Sequence, residues 1–161
     1  MPERRVRVHL GAQQLELWEG DLLLARYRVS TSARGAGEAD GSEQTPRGLH
    51  AVCEKIGAGC APGTVFVGRE PTGELCTPER IRREPGRDWI LTRILWLQGL
   101  EPGRNRGAGV DSRERFIYIH GTPEEGRIGE PASHGCIRMR NDDVVELFDR
   151  VEVGTPVEIL E

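Results

Sequence analysis

Ser133-His134-Gly135-Cys136-Ile137-Arg138, read with Phe116-Ile117-Tyr118-Ile119-His120-Gly121-Thr122-Pro123 upstream, decides how this chain is understood. A cysteine in a glycine-loosened turn, with histidines to hand, has the parts for nucleophilic acyl transfer. The thiolate is the attacking species, and a nearby imidazole lowers the thiol pKa and carries its proton. Gly135 allows backbone to approach a substrate closely, so the N–H groups of Gly135 and Cys136 are candidates for receiving an oxyanion. His120 closes an alternating apolar run, which puts its ring at a strand end within reach of a loop-borne cysteine. His134 and Cys136 are i and i+2 and can share one side of an extended segment. On the residues alone the base is His120 or His134.

Working outward, strand patterns dominate. Val6, Val8 and Leu10 alternate with polar residues; Gln14–Trp18 follows, with Leu15 and Leu17 on one face. The Glu19-Gly20-Asp21 turn leads to a third run ending at Val29, so the N-terminal part reads as an antiparallel meander. Residues 32–46 read as a long loop, either bordering a cleft or simply mobile. The basic stretch 80–87 reads as a solvated loop, Asp88–Leu97 as a strand whose tryptophans belong to the core, and Gly99–Gly109 as a loop. One helix stands out after the cysteine segment, over about 141–151. Asn141 is placed as its N-cap and Val144, Val145, Phe148 and Val151 as its buried face. Val157–Leu160 reads as a closing strand. The expectation is a mainly β protein, an antiparallel β-sandwich or barrel-like fold with that one clear helix, forming a single catalytic domain over 1–161.

The 161 residues suit one domain with a real core, and the Gly and Pro content (21 and 10) suits a loop-rich fold better than a helical bundle. A net charge of −4, with arginines interspersed among acids, argues against a nucleic-acid surface. Leu22-Leu23-Leu24-Ala25 is too short for a signal core or a membrane span, and the N-terminus already alternates like a strand; the expected location is the cytoplasm, or the periplasm if the chain has been trimmed. Cys53, Cys60 and Cys76 form no CxxC pair and no zinc spacing, and read as free thiols, with a Cys53–Cys60 bridge left open. His120, His134 and Cys136 together are three possible zinc ligands, but the His-Gly-Cys spacing is not a usual zinc pair, so no metal is expected. A papain-like hydrolase is disfavoured because there the nucleophile precedes its histidine.

These segments, with Thr45-Pro46-Arg47-Gly48, Arg138-Met139-Arg140-Asn141-Asp142-Asp143 and Val153-Gly154-Thr155-Pro156-Val157, resemble the L,D-transpeptidase catalytic domain family (the YkuD-type fold) in content and order. The resemblance implies Cys136 as nucleophile and His120 as base, oriented by the Gly121 carbonyl, with His134 and Gly135 shaping the oxyanion site. Arg138 departs from the version of the pattern with Asn at that place; it either clamps a substrate carboxylate or braces the loop. Ser133 and Tyr118 are expected to shape the cleft, with Arg47 and Arg104 as further substrate candidates. The implied partner is a peptidoglycan stem peptide or soluble muropeptide, with no cofactor. The implied reaction is cysteine-dependent L,D-acyl transfer on tetrapeptide stems, cutting before the terminal D-Ala through a thioester. Water would resolve the thioester in an L,D-carboxypeptidase of peptidoglycan recycling, favoured by the apparent lack of an export signal; an amine would resolve it in a transpeptidase. The alternative is a catalytically inactive muropeptide-binding module.

Overall fold

The structure is a computed structural model and describes residues 3–161. The three N-terminal runs form β1 (Arg4–His9), β2 (Gln14–Glu19) and β3 (Leu22–Ser30), an antiparallel meander; the first two residues of the N-terminal run lie outside the described residues. Then come β4 (Gly48–Ile56), a hairpin of β5 (Thr64–Val67) and β6 (Glu70–Leu75), a short helix α1 (Pro78–Arg83), and β7 (Leu91–Gly99). The C-terminal part holds β8 (Tyr118–Gly121), β9 (Ile137–Met139), α2 (Asn141–Arg150) and β10 (Pro156–Leu160).

Eight strands pair in the order β4-β10-β1-β2-β3-β9-β8-β7, and β7 pairs back onto β4, so the sheet closes into a barrel. The β5–β6 hairpin hangs from β7 outside that ring. The sheet is mixed rather than antiparallel, because β1 runs parallel to β10 and β8 parallel to β9. Parallel neighbours cannot be joined by a tight turn. The β8–β9 connection is accordingly the long segment 122–136, which carries the Ser-His-Gly-Cys turn.

Alternation fills the barrel. Val6 and Val8, Leu15 and Leu17, Leu95 and Leu97, Ile117 and Ile119, Ile137 and Met139, Val157 and Ile159 all point inward and are buried. Helix α2 packs Val144, Leu147, Phe148 and the following Val151 into the same core. Leu147 takes the place expected for Val145, which is only half-buried, since 144, 147, 148 and 151 complete one face at 3.6 residues per turn. Asn141 is the first helical residue rather than the cap. Its amide is spent on Thr122 O (2.9 Å) and Glu125 Oε2 (3.1 Å), tying the helix start to the end of β8.

The basic stretch read as a loop begins inside α1, which runs from Pro78 to Arg83. Thr77 caps it by accepting a hydrogen bond from Arg80 N–H at 3.2 Å, with Pro78 in the first turn. Trp89 is buried, whereas Trp96 is only half-buried and faces the outer side of the barrel. Cys53, Cys60 and Cys76 are unpaired thiols. Among the described residues, no helix is long and apolar enough to cross a membrane.

One polar pair lies wholly inside. His50 is buried, with Nδ1 at 3.0 Å from Gly48 O and Nε2 at 2.8 Å from Ser112 Oγ. Because a carbonyl only accepts, Nδ1 carries the proton and the serine hydroxyl donates to Nε2. Burial lowers its pKa to about 4. A neutral buried histidine contributes stability that is complete above about pH 6.5 and lost as pH falls toward about 4, roughly 3 kcal/mol over that window. Urea denaturation at neutral pH and near pH 4.5 is expected to show that loss in the native protein and a smaller one in His50→Gln; equal losses would remove His50 as its source.

Candidate active site

Strands β8 and β9 place the candidate residues. Ile119 pairs with Ile137 and His120 with Arg138. With period-2 alternation, the side of the sheet opposite the Ile119–Ile137 core takes Tyr118, His120, Cys136 and Arg138. Cys136 lies at the floor of a cleft of about 550 Å3 that Tyr118, His134, Phe116, Ile94 and Phe66 also line. Residues 40, 41 and 43 line it too, so the long loop 32–46 borders the cleft, pinned by Thr45 Oγ1 donating to Gly135 O at 2.9 Å.

The sulfur is held from two sides. Its S–H donates to Phe116 O at 3.3 Å, and the Tyr118 N–H donates to Sγ at 3.4 Å. Phe116 adopts φ 57°, a conformation uncommon outside glycine, which turns its carbonyl toward the thiol. Burial pushes the Cys136 thiol up to about 12; Asp88 adds to the rise, while the Tyr118 N–H, Arg138 and Arg115 oppose it. At rest Cys136 is a thiol.

His120 is fully buried, and its Nδ1 lies 2.6 Å from Gly121 O. The carbonyl can only accept, so the proton sits on Nδ1 and Nε2 presents a lone pair. That Nε2 is buried without a hydrogen-bond partner. Burial lowers the imidazole pKa below its ordinary value, opposed by Asp88 and the Gly121 carbonyl. The histidine is therefore neutral at pH 7 and set up to accept a proton. Gly121 has no room for a side chain: a Cβ there would stand 2.8 Å from Leu91 O.

The turn before the cysteine is fixed by Ser133, whose hydroxyl donates to Cys136 O (2.6 Å) and accepts from Gly135 N–H (3.2 Å). Ser133 is buried and spends its hydroxyl on the turn rather than on the cleft. Gly135 has φ 132°, in the region L side chains avoid. Its N–H is already committed to Ser133, which leaves the Cys136 N–H, with no acceptor among the described residues, as the backbone donor beside the sulfur. His134 is half-exposed, with Nδ1 at 3.6 Å from Asp88 Oδ2.

Arg138 is almost fully buried. Its Nη2 donates to Asp88 Oδ1 at 2.8 Å and its Nη1 lies 3.7 Å from Glu124 Oε1. Both partners are acidic side chains of the protein, so of the two expected roles the structure fits the brace. Arg47 is not at the cleft. Glu38 and Glu161 hold it at 2.9 Å and 2.6 Å, in a separate depression of about 400 Å3 that Arg104 also lines. Asp88 and Arg69 escaped the sequence reading: each comes from a loop or hairpin tip whose position depends on long-range packing. A motif could not have flagged them. Among the described residues, no three His, Cys, Asp or Glu side chains are grouped as a metal ion would need.

Comparison with known proteins follows the same lines. The L,D-transpeptidase catalytic domain (YkuD) matches residues 3–159. The putative L,D-transpeptidase YkuD of Bacillus licheniformis is 54% identical over 156 residues, 96% of this chain and 64% of that protein. The putative L,D-transpeptidase YqjB of Bacillus subtilis is 43% identical over 67 residues, 38% of each. Among solved structures, L,D-transpeptidase 3 from Mycobacterium tuberculosis in complex with a faropenem-derived adduct superposes with a TM-score of 0.62 at 16% identity, over 99% of this chain and 61% of that one. An L,D-transpeptidase from Mycobacterium smegmatis gives 0.59 at 19% identity, over 99% of this chain and 59% of that one. The chain thus spans less than two thirds of the length of each of these relatives. With the family match running from residue 3 to residue 159, this chain belongs to the L,D-transpeptidase catalytic domain family.

Proposed function

We propose that this chain is a cysteine acyltransferase acting on peptidoglycan tetrapeptide stems, opening the bond between the third residue and terminal D-Ala. The observation that carries the reading is the free, buried Nε2 of His120 on the sheet face that bears Cys136. The S–H, which donates to Phe116 O at rest, turns to Nε2, which takes the thiol proton as Sγ attacks the third residue's carbonyl carbon. Because burial raises the thiol pKa, the attack needs a base to take that proton, and His120 Nε2 supplies it. The Cys136 N–H receives the developing oxyanion. The His120 imidazolium then returns the proton to the departing amine of D-Ala, and a thioester remains.

Two acceptors can resolve that thioester. Water gives a tripeptide and free enzyme; an amine gives a cross-link or an exchanged amino acid. The cleft supports the amine, since Asp40 and Glu114 line it without a direct ion pair among the described residues, although Arg115 lies in the field of Asp40, and carboxylates attract an ammonium group. The hydrolytic reading, with soluble muropeptides as substrate, remains the second outcome of the same test.

Intact-protein mass spectrometry with a free tetrapeptide stem, and separately with imipenem, checks the reading, with Cys136→Ala alongside. The LD transpeptidase LdtMt1 has been solved in complex with imipenem, which makes that compound a suitable probe. The expected result is a covalent adduct on the native protein and none on the variant. Cross-linked or exchanged product would establish the amine acceptor, and tripeptide alone the carboxypeptidase. A Cys136 that neither compound modifies would leave the inactive muropeptide-binding module in its place.

A further inference from the structure

We propose that Arg69, at the tip of the β5–β6 hairpin, reads the terminal carboxylate of the acyl donor and so makes the enzyme selective for stems that end in a free acid. The inference rests on the acyl-donor reading above. Arg138, the arginine of the signature, already has two carboxylate partners and is almost fully buried. The cleft needs another cation to recognise an acid.

Arg69 lines the Cys136 cleft and is half-buried there. Its guanidinium lies 4.8 Å from the Trp96 ring centre and 5.1 Å from that of Phe116, and Nη1 donates to Tyr118 Oη at 3.3 Å. The ring of Tyr118 stands edge-on to Trp96 at 5.9 Å, so these aromatic side chains hold one another as well as the arginine. Stacking fixes the plane of the guanidinium and leaves its edge free for a forked pair of hydrogen bonds. Among the described residues no carboxylate is within ion-pair distance of it.

The same Tyr118 that meets Arg69 through its hydroxyl meets Cys136 Sγ through its backbone N–H, at 3.4 Å. A carboxylate on Arg69 therefore sits one tyrosine side chain from the reacting sulfur. That spacing suits the acid of the residue just beyond the scissile bond. Arg115, the other cleft arginine, is spent on the loop: it donates to Glu38 O at 3.2 Å and Gln44 O at 2.7 Å.

The test compares Cys136 acylation rates for a tetrapeptide stem with a free C-terminal acid and for the same peptide as its C-terminal amide. In the native protein the acid is expected to react about 10- to 100-fold faster, the value of a charge-assisted pair. In Arg69→Gln the acid-to-amide ratio is expected to fall close to one, and Arg69→Lys to keep part of it. Each ratio is taken within one protein, so differences in folded fraction cancel. A native ratio near one, or a ratio that survives in Arg69→Gln, overturns the assignment of Arg69 alone. A native protein that neither peptide acylates overturns the acyl-donor reading and this inference with it.

Discussion

Replacing His120 with alanine is expected to slow acylation of Cys136 by about 10²- to 10⁴-fold near neutral pH, the usual contribution of a positioned base. It should also change the shape of the pH profile, which a merely structural loss would not do. In the native protein the active form has neutral His120, so the rate falls as pH drops through the imidazole pKa, which burial holds below its ordinary value. Above that point the rate should level off. Without the base, the reaction depends on spontaneous thiolate from a thiol pushed up to about 12. Its rate should then climb about tenfold per pH unit across the neutral range. Intact-mass kinetics between about pH 5 and pH 9 read both profiles. Parallel curves would exclude His120 as the base and return attention to His134.

Asp88→Ala is the second large effect, and it falls on stability. Removing Asp88 strips the 2.8 Å partner from a guanidinium whose side chain is only 4% exposed, leaving Glu124 at 3.7 Å. Breaking a buried pair from one side costs about 3–5 kcal/mol, and the surviving Glu124 contact puts this case near 3 kcal/mol. The reverse change is milder. In Arg138→Met the orphaned Asp88 is 38% exposed and regains water, while the methionine fills the buried space. Chemical denaturation should therefore rank Asp88→Ala as clearly less stable than Arg138→Met. The opposite order would mean that the guanidinium is not the desolvated member of the pair.

Those two residues show where sequence reading stops. The meander β1–β3 was legible because Val6, Val8, Leu15 and Leu17 repeat with period 2 and tight turns join neighbours. The face of α2 was legible apart from Leu147, which the chosen positions skipped although it completes the stripe. The parallel pairs were hidden: β1 meets β10 from the far end of the chain, and nothing local in either strand names its partner. Helix α1 is announced by Thr77-Pro78-Glu79, but six residues are too few for periodicity to speak. In the site, residue type and order pointed to Cys136 and the histidines. Arginine assignments were not readable, because a sequence shows a charge and not its partner. Arg47 is taken by Glu38 and Glu161, whereas Arg69 packs on aromatic rings and a phenol and, among the described residues, makes no direct ion pair.

The hairpin that carries Arg69 hangs outside the closed ring of strands, and that has an evolutionary consequence. A barrel closed by β4 and β7 completes its circuit of backbone hydrogen bonds without β5 or β6. Changes of length or composition in the hairpin therefore leave the circuit intact. Its outer strand β6 is exposed along its whole length and holds Pro71 and Gly73, which discourage another chain from pairing with it. Val65 and Phe66 tie the base of the hairpin into the core, but residues 68–69 at its tip can change without breaking the barrel's pairing, so selection on the tip is separable from selection on the ring.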